Sequence, residues 1–259
     1  TAGYCLSGGY TLWFFLSGRS ELKLTKSNLK LDLSVSAEIG SIGSITLVRQ
    51  GMFSLLAIVL NGQLNIWGNI EYADTLGDQG GSHALAIYGL IRGYTLFIAF
   101  PIIGVMQGLM PIISYNYGAK NWTRVSDTII LGLKWTFSIS IIMLGILFLF
   151  PKPLIQIFTE DTELLAHTPR VLKWIFISLP LMGVGFIGGA YFQAIGEPMP
   201  ALVLTLARQG IFMIPLMFIF AHFIGLDGVW FSMPVGEILA GLWAGTWLYL
   251  EVNKMNKSA

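Results

Sequence analysis

Four charged residues stand inside long apolar stretches of the sequence, namely Arg49, Arg92, Arg208 and Glu237. A charge at the centre of a bilayer costs about 2.5 to 3.5 kcal/mol even on lenient insertion scales, so each of these residues needs a partner or a function. Glu237 follows Gly228 by nine residues, which at about 1.5 Å per residue places it roughly 13 Å into a helix. Two interpretations stay open: Glu237 exchanges a proton or binds a cation, or it forms a structural ion pair with Arg49 or Arg208.

Uncharged polar side chains accompany these charges in the same apolar stretches. The residues predicted to line a cavity are Gln50, Asn61, Gln107, Tyr115, Asn116 and Gln193. Gln107 and Tyr115 are eight residues apart, so they lie on about the same face of a helix. Some polar groups of this kind bridge helices by hydrogen bonds, and others line water. Together with the four charged residues, they form the predicted ion-coupling or substrate cavity.

Patterns typical of enzymes and nucleotide-binding proteins are missing or misplaced. The glycines Gly183, Gly185 and Gly188 satisfy GxGxxG, but they lie in an apolar stretch with no strand before it. The sequence has neither an HExxH nor a GxSxG pattern, and its single cysteine, Cys5, excludes an intrachain disulfide. We therefore expect no enzymatic activity, no bound cofactor or metal, and no nucleic-acid partner.

The elements that position the polar residues are transmembrane helices. The chain is 54% hydrophobic and only 11% charged, whereas soluble domains are about 25% charged. Each apolar stretch approaches or exceeds the roughly 20 residues that a helix needs to cross a bilayer. The predicted helices cover about 39–67, 83–117, 124–150, 164–195, 199–223 and 228–250. The sequence thus predicts an all-α integral membrane protein, a six-helix transmembrane bundle with a partial helix before it.

The distribution of charge predicts the domain organisation and the orientation. We predict the remnant of a transmembrane helix at 1–17, a cytoplasmic linker at 18–38, the bundle at 39–251 and a cytoplasmic tail at 252–259. One side of the membrane holds Arg19, Lys23, Lys26, Lys30, Lys120, Arg124, Lys254 and Lys257. The opposite side holds Lys152 alone, together with acidic residues in loops such as 69–82. Because Lys and Arg favour the cytoplasm, the linker and the C-terminus are predicted inside a plasma (inner) membrane.

Small residues and prolines inside the apolar stretches predict close packing and bends. Glycines four residues apart let helix backbones approach closely, and the pairs are Gly89 and Gly93, Gly104 and Gly108, Gly185 and Gly189, and Gly241 and Gly245. Prolines that favour kinks are Pro101, Pro111, Pro180, Pro215 and Pro234. Each proline is a packing bend or a hinge, and the five together favour a protein that moves.

A short internal similarity joins two of the predicted helices. Leu47–Phe53 reads LVRQGMF, and Leu206–Phe212 reads LARQGIF. Chance similarity between apolar segments and a true structural repeat both remain possible, and a repeat would fit the construction of transporters from related helix sets around a central site.

One segment carries a family resemblance. Phe100–Lys120 reads FPIIGVMQGLMPIISYNYGAK, and it resembles the eighth helix of the multidrug and toxic compound extrusion (MATE) transporters. Four further stretches agree with that family: SGRSELKL at 17–24, RQ at 49–50 with VLN at 59–61, FQAIG at 192–196, and IPL at 214–216 with GVW at 228–230. The resemblance keeps the order of the family's seventh to twelfth helices over essentially the whole chain.

The resemblance implies a fold and a function. A MATE transporter has two six-helix bundles related by a pseudo-two-fold axis, so the chain resembles the second bundle preceded by the end of the sixth helix. It implies an antiporter in which Na⁺ or H⁺ runs inward while small organic, often cationic, compounds leave. A flippase for lipid-linked oligosaccharides, from a related transport class, is the alternative, and it would require a cationic cavity. The implied partners are membrane lipid and either the missing N-terminal half or a second copy.

The resemblance also bears on the coupling residue. The acidic residue that many family members carry on the first helix lies in the half that this sequence does not include. An acidic pair that some members carry on the seventh and tenth helices is not matched, since those helices offer only Glu38 and no carboxylate between Trp174 and Gly196. Glu237 stands near an acid that is often found on the twelfth helix, so it is the leading candidate for coupling.

Overall fold

The computed structural model describes residues 2–17 and 33–258, and helices make up nearly all of them. The longer helices are α1 (Ala2–Leu16), α2 (Leu33–Glu71), α4 (Gly80–Gly118), α5 (Trp122–Leu149), α7 (Thr162–Phe176), α8 (Leu179–Ala194), α9 (Pro198–Leu206) and α10 (Ile214–Ser258). The short helices are α3 (Ala73–Leu76), followed by a 3₁₀ turn (Gly77–Gln79), and α6 (Pro151–Gln156). A π-helix (Ala207–Met213) joins α9 to α10. No strand occurs within these described ranges, so the predicted all-α class is confirmed.

The helices include several that are long and apolar enough to cross a membrane. Four stretches pass this test among the described residues: Leu47–Glu71, Ala73–Gly118, Trp122–Leu149 and Pro198–Met255. The pair α7 and α8, bent by 49° where they meet, forms a fifth. Pro180, in the first turn of α8, lies at this bend, as the kink prediction required. The chain is a multi-pass membrane protein.

The last apolar stretch is an antiparallel hairpin of two helices. Ile224 and Gly225 carry non-helical backbone angles, and the positive φ of 63° at Gly225 is one that residues with a side chain rarely adopt. Across this break, Gly236 packs against the backbone of Met213, where an added Cβ would come within 3.2 Å of the Met213 Cα. The two arms therefore lie side by side, so this single apolar stretch contains two packed helices.

The bounds of the outer helices differ from the sequence-based ones. Residues 33–38, predicted as linker, form the first turns of α2, and the residues predicted as tail continue α10 through Ser258. The SGRSELKL segment and most of the predicted linker lie outside the described residues. The chain divides into two compact units, Thr1–Ser44 and Ile45–Ala259. The first contains α1 and the start of α2, and the second contains the candidate site.

Two clusters of buried apolar side chains hold the second unit together. One cluster includes Leu64, Ile87, Leu172 and Trp230, and the other includes Ile113, Ile129, Tyr191, Phe192 and Ala244. Of the four predicted glycine pairs, only Gly241 and Gly245 contact another helix of the described chain, where a Cβ on Gly241 would come within 2.6 Å of the Leu181 carbonyl oxygen. Among the described residues, a Cβ at any member of the other three pairs would meet nothing within 4 Å. Close packing at those three pairs stays a prediction.

The π-helix has a local cause in the sequence. Pro215 lies two residues after its end and has no N–H to donate to a carbonyl in the preceding turn. Instead, the Ile214 N–H donates to the Gln209 carbonyl five residues earlier. Such single π-turns mark functional positions in many helices, and this one contains Arg208 and Gln209.

Candidate functional site

An ion pair joins the two arms of the hairpin at membrane depth. Arg208 Nη1 lies 3.4 Å from Glu237 Oε1, and the two side chains are only 21% and 16% exposed. Arg208 belongs to the π-helix and Glu237 to the returning arm of α10. The structure thus brings together Glu237 and Arg208, two of the four charged residues found within the apolar stretches.

Next to this pair, a ring contacts the guanidinium and a buried polar group lacks a hydrogen-bond partner among the described residues. The Arg208 guanidinium lies 5.7 Å from the ring centroid of Phe186 on α8, within the range of a cation–π contact. Gln209 is almost fully buried, and its Oε1 has no hydrogen-bond partner among the described residues. A buried unpaired acceptor of this kind needs water, an ion or another group to satisfy it.

A half-open cavity of about 340 Å³ lies beside the ion pair. This volume falls within the 300 to 1,000 Å³ range typical of small-molecule sites. The polar and charged side chains of its wall are Arg49, Gln50, Gln193, Thr205 and Arg208. The remaining wall is formed by Phe53, Met106, Gly185, Phe186, Gly189, Ala190, Ala201, Leu204, Ala240 and Ala244. The wall contains no acidic side chain within the described part of the chain.

The two similar sequence segments meet at this cavity. Arg49 and Gln50 of the first segment and Arg208 of the second all line it. Behind them, the segments touch, since a Cβ on Gly210 would come within 3.2 Å of the Met52 Cε. The two RQG sequences therefore place equivalent arginines on the same cavity.

The other predicted site residues lie elsewhere. Asn61, Arg92, Gln107 and Tyr115 are exposed, and none of them lines the cavity. Asn116 is half-buried, and its Nδ2 donates to the Ile112 carbonyl of its own helix at 2.8 Å. Of the predicted cavity residues, the structure places four on the wall, namely Arg49, Gln50, Gln193 and Arg208. Glu237 does not line the wall but contacts Arg208, which does.

Sequence reasoning missed the aromatic and small residues of the wall. Phe53 and Phe186 supply rings, Gly185 and Gly189 leave room, and Thr205 supplies a hydroxyl. Gly185, Gly189 and Gln193 recur at intervals of four, which puts them on one helix face. That spacing was available as a signal, and it gives the same glycines a role in shaping the cavity.

A second polar cluster lies far along the helices, at the end that carries the acidic loops. His83 Nε2 lies 3.2 Å from His167 Nδ1, and both rings pack against Tyr72. His167 Nδ1 also lies 3.1 Å from the Glu163 carbonyl oxygen. One of the two facing ring nitrogens therefore donates and the other accepts, so the contact requires an unprotonated nitrogen on one of the two rings.

Electrostatics around this second cluster are set by burial and by acidic neighbours. Burial raises the pKa of the Tyr72 hydroxyl, and the carboxylates of Glu71 and Asp227 raise it further. Nearby, Arg170 Nη2 donates to Asp227 Oδ2 at 2.8 Å, and the Arg170 guanidinium lies 4.2 Å from the centroid of Trp174. This exposed network ties α7 to the residues just after the Gly225 break.

Comparison with known proteins places the chain in a family. The MatE family model matches residues 75–219. The multidrug export protein MepA of Staphylococcus haemolyticus is 25% identical over 250 residues, which cover 96% of this chain and 52% of that protein. MepA of Staphylococcus aureus is 28% identical over 229 residues, which cover 88% of this chain and 47% of that protein. The chain spans about half the length of these curated relatives.

Solved structures show the same fold. An outward-facing multidrug resistance MATE family transporter of the MOP superfamily superimposes with a TM-score of 0.79 at 20% identity, over 98% of this chain and 55% of that one. A MOP superfamily transporter from Pyrococcus furiosus, reported with a binding pocket of reversed polarity, gives a TM-score of 0.77 at 21% identity, over 94% of this chain and 52% of that one. Because the family-model match covers more than half of the sequence and includes the segment Phe100–Lys120, the chain belongs to the MatE family.

Proposed function

We propose that the chain forms part of a cation-coupled antiporter that exports organic compounds, drugs among them, across the plasma membrane. The observation that carries this proposal is the half-open cavity beside a buried Arg208–Glu237 pair in a MatE-family bundle. The names of the relatives, which are multidrug export proteins, support the same class of activity. The proposed partners are membrane lipid, a small organic substrate and a second six-helix unit, supplied by an N-terminal half or a second copy.

The coupling residue in this proposal is Glu237, with H⁺ or Na⁺ as the coupling ion. A carboxylate in a low-dielectric site can alternate between holding an arginine and holding a proton or cation. Movement of Glu237 away from Arg208 would therefore link ion binding to the shape of the cavity. The competing interpretation is that the pair only holds the two arms of the hairpin together.

The first prediction separates these interpretations through Glu237→Gln. The reconstituted variant is expected to lose ethidium transport driven by an imposed H⁺ or Na⁺ gradient, at least tenfold in initial rate, because the amide cannot take up the coupling ion. Binding of ethidium, measured by its fluorescence, should change much less. The readouts are fluorescence in proteoliposomes for transport and in detergent for binding.

The matched control is Glu251→Gln, the same substitution on the same helix, at a pair with the exposed Lys254 that does not line the cavity. This control is expected to retain full gradient-driven transport. Intact coupling in Glu237→Gln, accompanied by a lower melting temperature, would instead establish a structural ion pair. Proteoliposomes that move neither ethidium nor an organic anion under either gradient would refute the antiporter proposal itself.

A flippase for lipid-linked oligosaccharides is the second candidate, and one observation favours it. The cavity wall holds Arg49 and Arg208 and no acidic side chain among the described residues, which suits an anionic headgroup. Translocation of a fluorescent lipid-linked sugar pyrophosphate in proteoliposomes, in the absence of ethidium transport, would select this function over the first.

A further inference from the structure

The charge of the cavity wall is unbalanced. Arg49 and Arg208 are its two ionised groups, and Glu237 offsets only one of them, through a single 3.4 Å contact with Arg208. That contact is longer than the 2.7 to 2.9 Å of a strong charge-assisted hydrogen bond. No acidic side chain in the described part of the chain lies within ion-pair distance of Arg49. Among the described residues, the cavity therefore carries one arginine with no counter-ion.

An arginine in this position needs an anion or a polar cavity to stabilise its charge. Ionisable residues in the apolar part of a membrane protein face cavities or partners, since lipid does not solvate them. Arg49 is half-buried on the wall of a cavity that the bundle keeps open. Its guanidinium offers several N–H donors in a fixed plane, which suits a carboxylate, sulfonate or phosphate.

The rest of the wall indicates what the anion is attached to. Phe53 and Phe186 present rings, and the other walls are mostly aliphatic side chains or glycine. Gln193 and Gln50 add neutral hydrogen-bonding groups close to the arginines. The combination of a cationic end and an aromatic wall fits an amphipathic organic anion.

We propose that the cavity binds amphipathic organic anions, with Arg49 as the counter-ion of their anionic group and the rings of Phe53 and Phe186 against their apolar body. This inference rests on the proposed function, because it takes the cavity to be the binding site of the exported compound. It specifies the substrate class, and it runs against the cationic preference that the family resemblance implies.

Three fluorescent probes that share one dansyl group test which ligand charge the cavity prefers. Dansylglycine is an anion, its amide is neutral and dansylcadaverine is a cation. The purified protein in detergent is expected to bind dansylglycine at least tenfold more tightly than dansylcadaverine, as measured by dansyl fluorescence. Tighter binding of dansylcadaverine than of dansylglycine would overturn the proposal.

The variants Arg49→Gln and Arg49→Lys test the assigned residue. Arg49→Gln is expected to weaken dansylglycine binding at least tenfold while changing binding of the neutral amide less than twofold, and Arg49→Lys should recover part of the loss. Comparing the two probes within each variant separates a lost counter-ion from misfolding, because misfolding weakens both. Arg124→Gln removes an exposed arginine outside the cavity and should leave both affinities unchanged. An unchanged ratio in Arg49→Gln would overturn the assignment.

These binding measurements test the anion site independently of the proposed antiporter. Gradient-driven ethidium export combined with no preference for dansylglycine would retain the antiporter and reject the anion site. A clear preference for dansylglycine with no gradient-driven movement of any probe would retain the site and reject the antiporter.

Discussion

At the scale of single residues, a charge within an apolar stretch was a strong indication that a residue belongs to the site. Apolar character was a weak indication. Glu237 and Arg208 stand out from their neighbours in sequence, and they form an ion pair in the structure. Phe53 and Phe186 lie on the same cavity, but aromatic residues are frequent throughout these helices. Hydropathy reports how deep a residue lies and not which neighbour it faces, so Arg92 and Gln107 could not be distinguished from Arg49 and Gln193.

The ion pair makes a prediction about stability. Removal of one member, as in Arg208→Met or Glu237→Gln, is expected to destabilise the protein by about 1 to 3 kcal/mol, because a partly buried charge or amide loses its partner. The double variant is expected to be less destabilised than the sum of the single variants, with a coupling energy of about 1 kcal/mol after allowing for partial exposure. Denaturation in detergent, followed by circular dichroism, measures the cycle. Strictly additive losses would show that the contact contributes nothing.

At the scale of helices, the positions of the long apolar helices followed from the sequence, and their contacts did not. The membrane-span candidates lie where the sequence predicts apolar helices, and the proline at the start of α8 lies at a bend. Small residues at intervals of four, however, occur on faces turned toward another helix and on faces turned away from one. Gly241 touches Leu181, whereas Gly89 has no neighbour within 4 Å among the described residues. Sequence spacing shows that two residues share a helix face, but it does not show what lies opposite that face.

The contrast between those two glycines yields a matched test. Gly241→Ala is expected to destabilise the protein by about 1 to 3 kcal/mol, since its Cβ would come within 2.6 Å of a backbone carbonyl and force α8 and α10 apart. Gly89→Ala, the same substitution in a helix with open space beside it, is expected to be neutral or slightly stabilising. Melting temperatures in detergent compare the two. Equal effects would contradict the close packing at Gly241.

The histidine pair makes a pH prediction at the same scale. The hydrogen bond between His83 and His167 needs an unprotonated nitrogen on one of the two rings, so protonation of both rings would set two N–H groups against each other. The contact should contribute roughly 1 kcal/mol while at least one ring is neutral and be lost when both are protonated. Stability is therefore expected to fall as the pH falls through about 6.5, the range in which free histidine titrates.

The measurement is the melting temperature between pH 8 and pH 5. The wild-type protein should lose stability across this interval, and His83→Gln, which accepts a hydrogen bond but does not titrate, should lose less. His222→Gln alters an exposed histidine outside the cluster and should keep the wild-type slope. Identical slopes in all three proteins would show that the histidine contact does not cause the loss of stability.

At the scale of the molecule, two apolar cores hold the second unit, and many large side chains face outward. Phe137, Ile142 and Leu149 are more than half exposed, which suits contact with lipid and would be costly in water. The composition predicted a membrane protein and one segment indicated the MatE family, because both signals are local features of the sequence. The shape of the cavity was not readable, since it depends on residues from α2, α8, the π-helix and α10 that are distant in sequence.

The π-helix before Pro215 would allow a few residues of this helix to rotate about the helix axis. A π-turn holds one residue more than an α-helical turn, and successive residues in a helix point about 100° apart. If that surplus residue migrated past Arg208, the guanidinium would swing away from Glu237 by about a quarter of a revolution while both ends of the helix stayed in place. A rotation confined to a few residues would then exchange one neighbour of the arginine for another, with no need for the hairpin to slide or separate.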